Sequence, residues 1–207
     1  DTAICNTLID IYAKCGCLFK AKKLFDSIPH PDATSWTSLI AGCVQHRQEN
    51  LALECFEKMQ LVGISPNEAA FSCILQACGS LGAIDKGEEV HAEVERRGLL
   101  EHNFFIGSAL IDMYAKCGFL PKAKEVFEKY QIRDVVLWNI LIMGYAEHGH
   151  GEEALRFFKQ MQTEGFFPSS VTFISIMKAC SNVGAIDKCR YIHAEIEEIG
   201  FLKKDLI

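Results

Sequence analysis

The chain is one long unit written twice. Residues 2–103 and 104–205 align without a gap, and 42 of the 102 paired positions are identical. The nonapeptide LIDIYAKCG at 8–16 returns as LIDMYAKCG at 110–118, Trp36 pairs with Trp138 and Phe71 with Phe173, and GAIDK stands at 82–86 and again at 184–188. Inside each copy a finer period is marked by Ala-x-x-x-Phe, at Ala21/Phe25, Ala52/Phe56, Ala123/Phe127 and Ala154/Phe158. Periods of roughly 20–50 residues are the mark of stacked supersecondary units, none of which can bury its apolar face alone.

The units are helical hairpins. Apolar residues recur at helical spacing through TLIDIYAKCG, and CLFKAKKLFDSI then starts a second amphipathic run that stops at PHPDA. SWTSLIAGCVQH with LALECFEKMQLVG, and AFSCILQACGS with IDKGEEVHAEVERRG, repeat the arrangement, and no strand signal interrupts it. The prolines, at 29, 31, 66, 121 and 168, fall in links or first turns, where a missing N–H is cheap. The spacing therefore predicts an all-α, right-handed α-solenoid of six helix-turn-helix hairpins in a single array, over 2–32, 33–67, 68–103, 104–134, 135–169 and 170–205, with 206–207 opening a further one.

Composition excludes several classes. No apolar run approaches the ~18 residues of a membrane span, since even VVLWNILIMGYA (135–146) is broken by Asn139 and Gly144; the expectation is a soluble chain with no membrane partner. It opens at the start of a repeat, which predicts a piece of a longer protein with no targeting peptide in view. The ten cysteines sit mostly among Ala, Leu and Ile, as in ILQACGSLG, and read as small packing thiols of a reducing compartment. Cys15 and Cys17 form a C-x-C with no second pair at zinc spacing, so neither a metal nor any other cofactor is expected. A net charge of −6 lacks the basic field usual in a nucleic-acid binder.

The motifs NTLIDIYAKCG…AKKLFDSIP, WTSLIAGCVQH…ALECFEKMQLVGISPN and FSCILQACGSLGAIDKGEEVHAEV, in units of 31, 35 and 36 residues, resemble pentatricopeptide repeats of the PLS subclass, in the order S-P-L-S-P-L over residues 2–205. The resemblance implies a plant organellar protein, of mitochondrion or chloroplast, that reads single-stranded RNA one base per repeat from its 5′ end. Helical repeats that read RNA as a code are an established device. In that family the base is specified by each repeat's fifth and last residues, which the resemblance carries over as follows. Asn6 with Asp32 would favour U, then C; Thr37 with Asn67, A; Ser72 with Asn103, nominally A, since long repeats follow the rule loosely; Ser108 with Asp134, G; and Asn139 with Ser169, C. Ile174 with Asp205 departs from the pattern, because an apolar side chain cannot hydrogen-bond a base edge. The composite site is 5′-(U/C)-A-A-G-C-N-3′, and the resemblance further implies editing cofactor proteins or a deaminase as partners.

The residues support this reading independently. Five of six fifth positions are small and polar at a helix entrance, where N-capping is the competing explanation; the last positions Asp32, Asn67, Asn103, Asp134 and Ser169 also cap or turn well. Second positions Ala3, Thr34, Ala69, Phe105, Val136 and Val171 become increasingly apolar along the chain, and in the family they wedge between bases; for Phe105 and Val136 the competing role is packing between repeats. Lys14 and Lys116 stand near the ends of first helices, placed either to meet phosphate or simply as helix-end cations. Of 27 acidic residues, Asp10, Asp112 and Glu147 alone fall in the segments read as first helices, which predicts a near-neutral concave face and a weak salt dependence.

An enzyme is not expected. His91-Ala92-Glu93 and His193-Ala194-Glu195 spell the first half of a zinc-deaminase signature, but P-C-x-x-C is missing. The alternative to RNA reading is a protein-binding scaffold like tetratricopeptide repeats, whose period is a uniform 34. Exposed apolar ends of the array predict self-association through terminal repeats.

Overall fold

A computed structural model describes residues 2–100, 103–130 and 133–199. Among the described residues there are twelve helices and no strand. They are α1 (Thr2–Lys14), α2 (Leu18–Asp26), α3 (Ala33–Gln45), α4 (Glu49–Leu61), α5 (Glu68–Leu81), α6 (Ile84–Arg96), α7 (Phe104–Lys116), α8 (Leu120–Lys129), α9 (Val135–Glu147), α10 (Gly151–Thr163), α11 (Ser170–Asn182) and α12 (Ile186–Ile199). The chain forms two compact units, 1–113 and 114–207. Residues 205–207, including Asp205, lie outside the described residues.

Two local devices generate the hairpins. Odd-numbered helices α3 to α11 start behind a side-chain cap: Asp32 accepts from Ser35 N at 2.8 Å, Asn67 from Ala70 N at 2.9 Å, Asn103 from Ile106 N at 3.1 Å, Asp134 from Leu137 N at 2.9 Å and Ser169 from Thr172 N at 3.3 Å. Each such cap is worth about 1 kcal/mol. The turn into the second helix is a backbone motif: Cys17 N donates to Tyr12 O at 2.8 Å, Gln48 N to Cys43 O at 2.8 Å and Phe119 N to Tyr114 O at 2.9 Å, across residues in the left-handed region. Those residues include Gly16 and Gly118; at the turn between α3 and α4 the place is taken by Arg47, φ 55°.

In the first unit α1, α3 and α5 pack side by side as one layer, while α2 lies on α1 and α3, and α4 on α3 and α5. The second unit repeats this with α9 on α11, and α10 against both. Gly42 makes the closest approach, since a Cβ there would lie 2.3 Å from Ala13 Cβ; at Gly144 it would lie 2.7 Å from Ala115 Cβ. The Ala-x-x-x-Phe pairs face the core. Phe25 meets Trp36 edge-on at 4.6 Å, Phe56 meets Phe71 at 6.0 Å, Phe127 meets Trp138 at 4.7 Å and Phe158 meets Phe173 at 6.2 Å. Each aromatic so anchored is the fourth residue of its first helix, which leaves the fifth beside the adjoining helix start.

The cysteines divide more finely than their neighbours predict. Cys43, Cys55, Cys78 and Cys180 are buried, Cys5, Cys73, Cys117 and Cys189 half-buried, and Cys15 and Cys17 exposed at a turn. Among the described residues no helix is long and apolar enough to cross a membrane.

Candidate nucleic-acid interface

Asn6, Thr37, Ser72, Ser108, Asn139 and Ile174 are each the fifth residue of a first helix, one turn inside it. They are not the caps. That role belongs to the last residue of the preceding repeat, because only its extended backbone points a side chain back at the free N–H groups.

The two sets meet. Asn6 Nδ2 donates to Asp32 Oδ1 at 3.2 Å, Thr37 Oγ1 lies 3.1 Å from Asn67 Oδ1, and Asn139 Nδ2 donates to Ser169 Oγ at 3.0 Å. Thr37 Oγ1 also lies 2.6 Å from Ala33 O, the nearer acceptor for its proton. The long repeat differs: Asn103 Nδ2 donates to a Glu68 carboxylate oxygen, while its Oδ1 holds the α7 cap and Ser72 sits half-buried in α5. Ser108 Oγ donates to Phe105 O at 3.1 Å, and Asp134 caps α9.

A further pair of residues joins these junctions. Ser35 Oγ donates to Asn6 Oδ1 at 2.6 Å while accepting from Asp32 N at 3.2 Å; Thr172 Oγ1 donates to Asn139 Oδ1 at 2.5 Å while accepting from Ser169 N at 2.9 Å. Both are fully buried. Sequence reasoning missed them, although a hydroxyl three residues after a capping side chain is the signature of a reciprocal cap.

Second-position side chains stand out into solvent. Ala3, Thr34 and Ala69 are exposed, and Phe105, Val136 and Val171 are 75%, 51% and 47% exposed, so Phe105 contributes little to the packed core and Val136 is half covered. In the first unit Ala3, Asn6, Asp10, Asp32 and Thr34 line an open cleft of about 670 Å³, which brings two second-position side chains beside the Asn6–Asp32 pair.

Charge is sparse here. Lys14 Nζ is paired with Asp10 Oδ2 at 2.7 Å, and Lys116 ends α7 at the equivalent place. Lys178 pairs with Glu147 at 3.2 Å. The first helices hold one acidic residue more than expected: α5 begins at Glu68, where the cap at Asn67 and the helix dipole favour a carboxylate. Asp32 has its carboxyl held below the ordinary carboxylate range, chiefly by the Ser35 backbone N–H and then by the Ser35 hydroxyl and Asn6 amide, against partial desolvation.

The H-x-E segments lie elsewhere, on α6 and α12. Glu93 is clasped by Arg96 and Arg97, with Nε of Arg97 at 2.6 Å, and these guanidinium groups hold its carboxyl below the usual range. Among the described residues no group of three or more His, Cys, Asp and Glu side chains could hold a metal ion.

Family models for the PPR repeat match residues 3–29, 69–99 and 108–135, and those for the PPR repeat family match 31–80 and 133–182, together most of the chain. The chain belongs to the pentatricopeptide repeat family. Two pentatricopeptide repeat-containing proteins of Arabidopsis thaliana illustrate the kinship: one is 42% identical over 197 residues, and a second, named as mitochondrial, is 36% identical over 198. These stretches are 94% and 95% of this chain but 27% and 26% of those proteins, so the chain spans about a quarter of their length. Among solved structures, maize PPR10 matches with a TM-score of 0.75 at 22% identity, over 94% of this chain and 29% of that one. PPR10 in complex with an 18-nt psaJ RNA element matches at 0.73 and 20%, over 97% and 34%. At such identities the likeness is one of fold, an all-α helical-repeat solenoid.

Proposed function

We propose that this pentatricopeptide repeat array binds single-stranded RNA in a sequence-specific way, one base per repeat, as the PLS-type recognition tract of an organellar C-to-U editing factor whose deaminase chemistry resides in another domain or partner. The observation that carries the reading is the meeting of fifth and last residues, hydrogen-bonded at Asn6–Asp32 and Asn139–Ser169 and in contact at Thr37–Asn67. Each pair combines an amide, hydroxyl or carboxylate in one composite edge, flanked by exposed second-position side chains on which a base can stack. PPR10 was solved with RNA bound to the same fold, and a relative named as mitochondrial supports an organellar setting.

The site is 5′-(U/C)-A-A-G-C-N-3′. With few unpaired cations along these helices, base contacts and stacking supply more of the affinity than phosphate attraction does. The test is a gel-shift titration with a 12-nucleotide RNA carrying UAAGCN, beside scrambled and DNA counterparts. Thr37→Asn with Asn67→Asp should move the second base from A toward U. Equal binding of all three probes, or no binding, would return the lead to a protein-binding scaffold.

A further inference from the structure

The two copies of the 102-residue unit differ in a correlated way. Where the first copy has Asn6, the second has Ser108; the third residue of the following first helix changes with it, from Ser35 to Leu137. The next junction changes in the opposite sense, from Thr37 with Ala70 to Asn139 with Thr172. The remaining described junction pairs Ser72 with Ile106. A fifth-position asparagine is thus matched by a buried hydroxyl, and a fifth-position hydroxyl by an apolar side chain.

We propose that Ser35 and Thr172 are positioning residues that lock the side-chain amides of Asn6 and Asn139 in one of their two orientations, and so keep sharp a pyrimidine preference whose direction the last residue, Asp32 or Ser169, sets. This rests on the RNA reading above. Each hydroxyl accepts a backbone N–H, from Asp32 at 3.2 Å or Ser169 at 2.9 Å, and the nearest acceptor for its own proton is the asparagine Oδ1, at 2.6 and 2.5 Å against 3.0 Å to Asp32 Oδ1 and 3.1 Å to Ser169 Oγ. The Nδ2 then faces the last residue, and one N–H with one lone pair of Oδ1 remains for a base.

The two locks differ in how much depends on them. Asp32 is a carboxylate and can only accept, so it holds Asn6 Nδ2 even without Ser35. Ser169 can donate or accept, so without Thr172 either orientation of Asn139 satisfies it. Turning the amide over exchanges donor and acceptor, and cytosine and uracil differ in just that exchange at position 4 of the ring, an amine in one and a carbonyl in the other.

Thr172→Val keeps the shape and removes the hydroxyl; Thr172→Ser restores it. An apolar residue already stands at this place in Ala70, Ile106 and Leu137, so the fold accommodates it. Two readouts are made on the full chain: C-over-U preference at the fifth base, and hydrogen exchange of the Asn139 side-chain amide followed by NMR without RNA. Loss of one such hydrogen bond, worth about 1 kcal/mol, predicts roughly a fivefold loss of preference and a comparable rise in exchange for Val. Ser should behave as wild type, and Ser35→Ala should show the smaller effect at the first base. In the converse direction, Thr37→Asn/Asn67→Asp should prefer U more strongly when Ala70→Ser is added. Unchanged exchange in Thr172→Val overturns the lock, and raised exchange with unchanged base preference overturns its role in specificity. A wild-type chain that binds no RNA sinks the RNA reading and with it the specificity role, while the exchange rates of Thr172→Val and wild type still decide whether the lock exists.

Discussion

Asn6 and Asp32, 26 residues apart, meet at 3.2 Å through an amide donor and a carboxylate acceptor at the mouth of a cleft. The same carboxylate caps α3 through Ser35 N at 2.8 Å. One side chain therefore starts a helix and holds the asparagine beside it.

That double duty has a pH signature. The folded carboxyl of Asp32 lies below its ordinary value, so its contribution is fully present above the unfolded value of about 3.9 and is lost as pH falls through the folded one. Thermal melts from about pH 2.5 to pH 7 should show a loss of stability below about pH 4 that is reduced in Asp32→Asn. Base preference at the first repeat should be unchanged between about pH 5 and pH 8.

Phe105, 75% exposed, lies outside the core, and the RNA reading proposed above gives it a base to stack on. Phe105→Ala should weaken RNA binding by about 1–3 kcal/mol, read in the gel-shift titration. Its melting temperature should stay within a degree or two of wild type, because little buried surface is removed. A large drop in melting temperature with undiminished binding would reverse this assignment.

Gly42 and Gly144 let first helices touch. In Gly42→Ala the new methyl would begin 2.3 Å from Ala13 Cβ, so α1 and α3 must separate. Overpacking of this kind costs about 1–3 kcal/mol. Denaturant melts should show the larger loss for Gly42→Ala than for Gly144→Ala, where the approach is 2.7 Å.

Arg47 occupies a left-handed turn that its counterpart Gly149 enters without strain. Arg47→Gly should stabilise the first unit by roughly 1 kcal/mol, offset in part by the freer unfolded chain. The reciprocal Gly149→Arg should lower the melting temperature of the second. Calorimetry on both variants checks the pair.

The N-terminal face of α1 bears on self-association. Ile4, Leu8 and Ile11 are 60%, 38% and 48% exposed, whereas Ile106, Leu110 and Met113, their counterparts in the second copy, are fully buried. Sedimentation should show a concentration-dependent dimer that Leu8→Glu dissolves, and a monomer at every concentration would end the idea.

The helices, their pairing into hairpins and the family were legible because they are written locally, in a 3.6-residue apolar period, in glycines at turns and in a register that recurs after 102 residues. The second-position side chains were legible as candidates, but the exposure of Phe105 was not, since an aromatic residue suits a core as well as a surface. Likewise Lys14 reads as a free cation until Asp10, one helical turn away, is seen to hold it at 2.7 Å.

What the amino-acid order determined by itself was the unit: where each helix begins, which face is apolar, and that neighbours must stack to bury it. What only the tertiary structure decided was which polar groups meet across that stack, that the last residue caps while the fifth faces it, and that Ser35 and Thr172 reach the asparagines from 29 and 33 residues away. The physical reason is range. Periodicity records what a residue does to its own helix, whereas a hydrogen bond between repeats depends on how closely two helices approach, and here that is set by buried contacts such as Gly42 on Ala13 and Phe25 on Trp36.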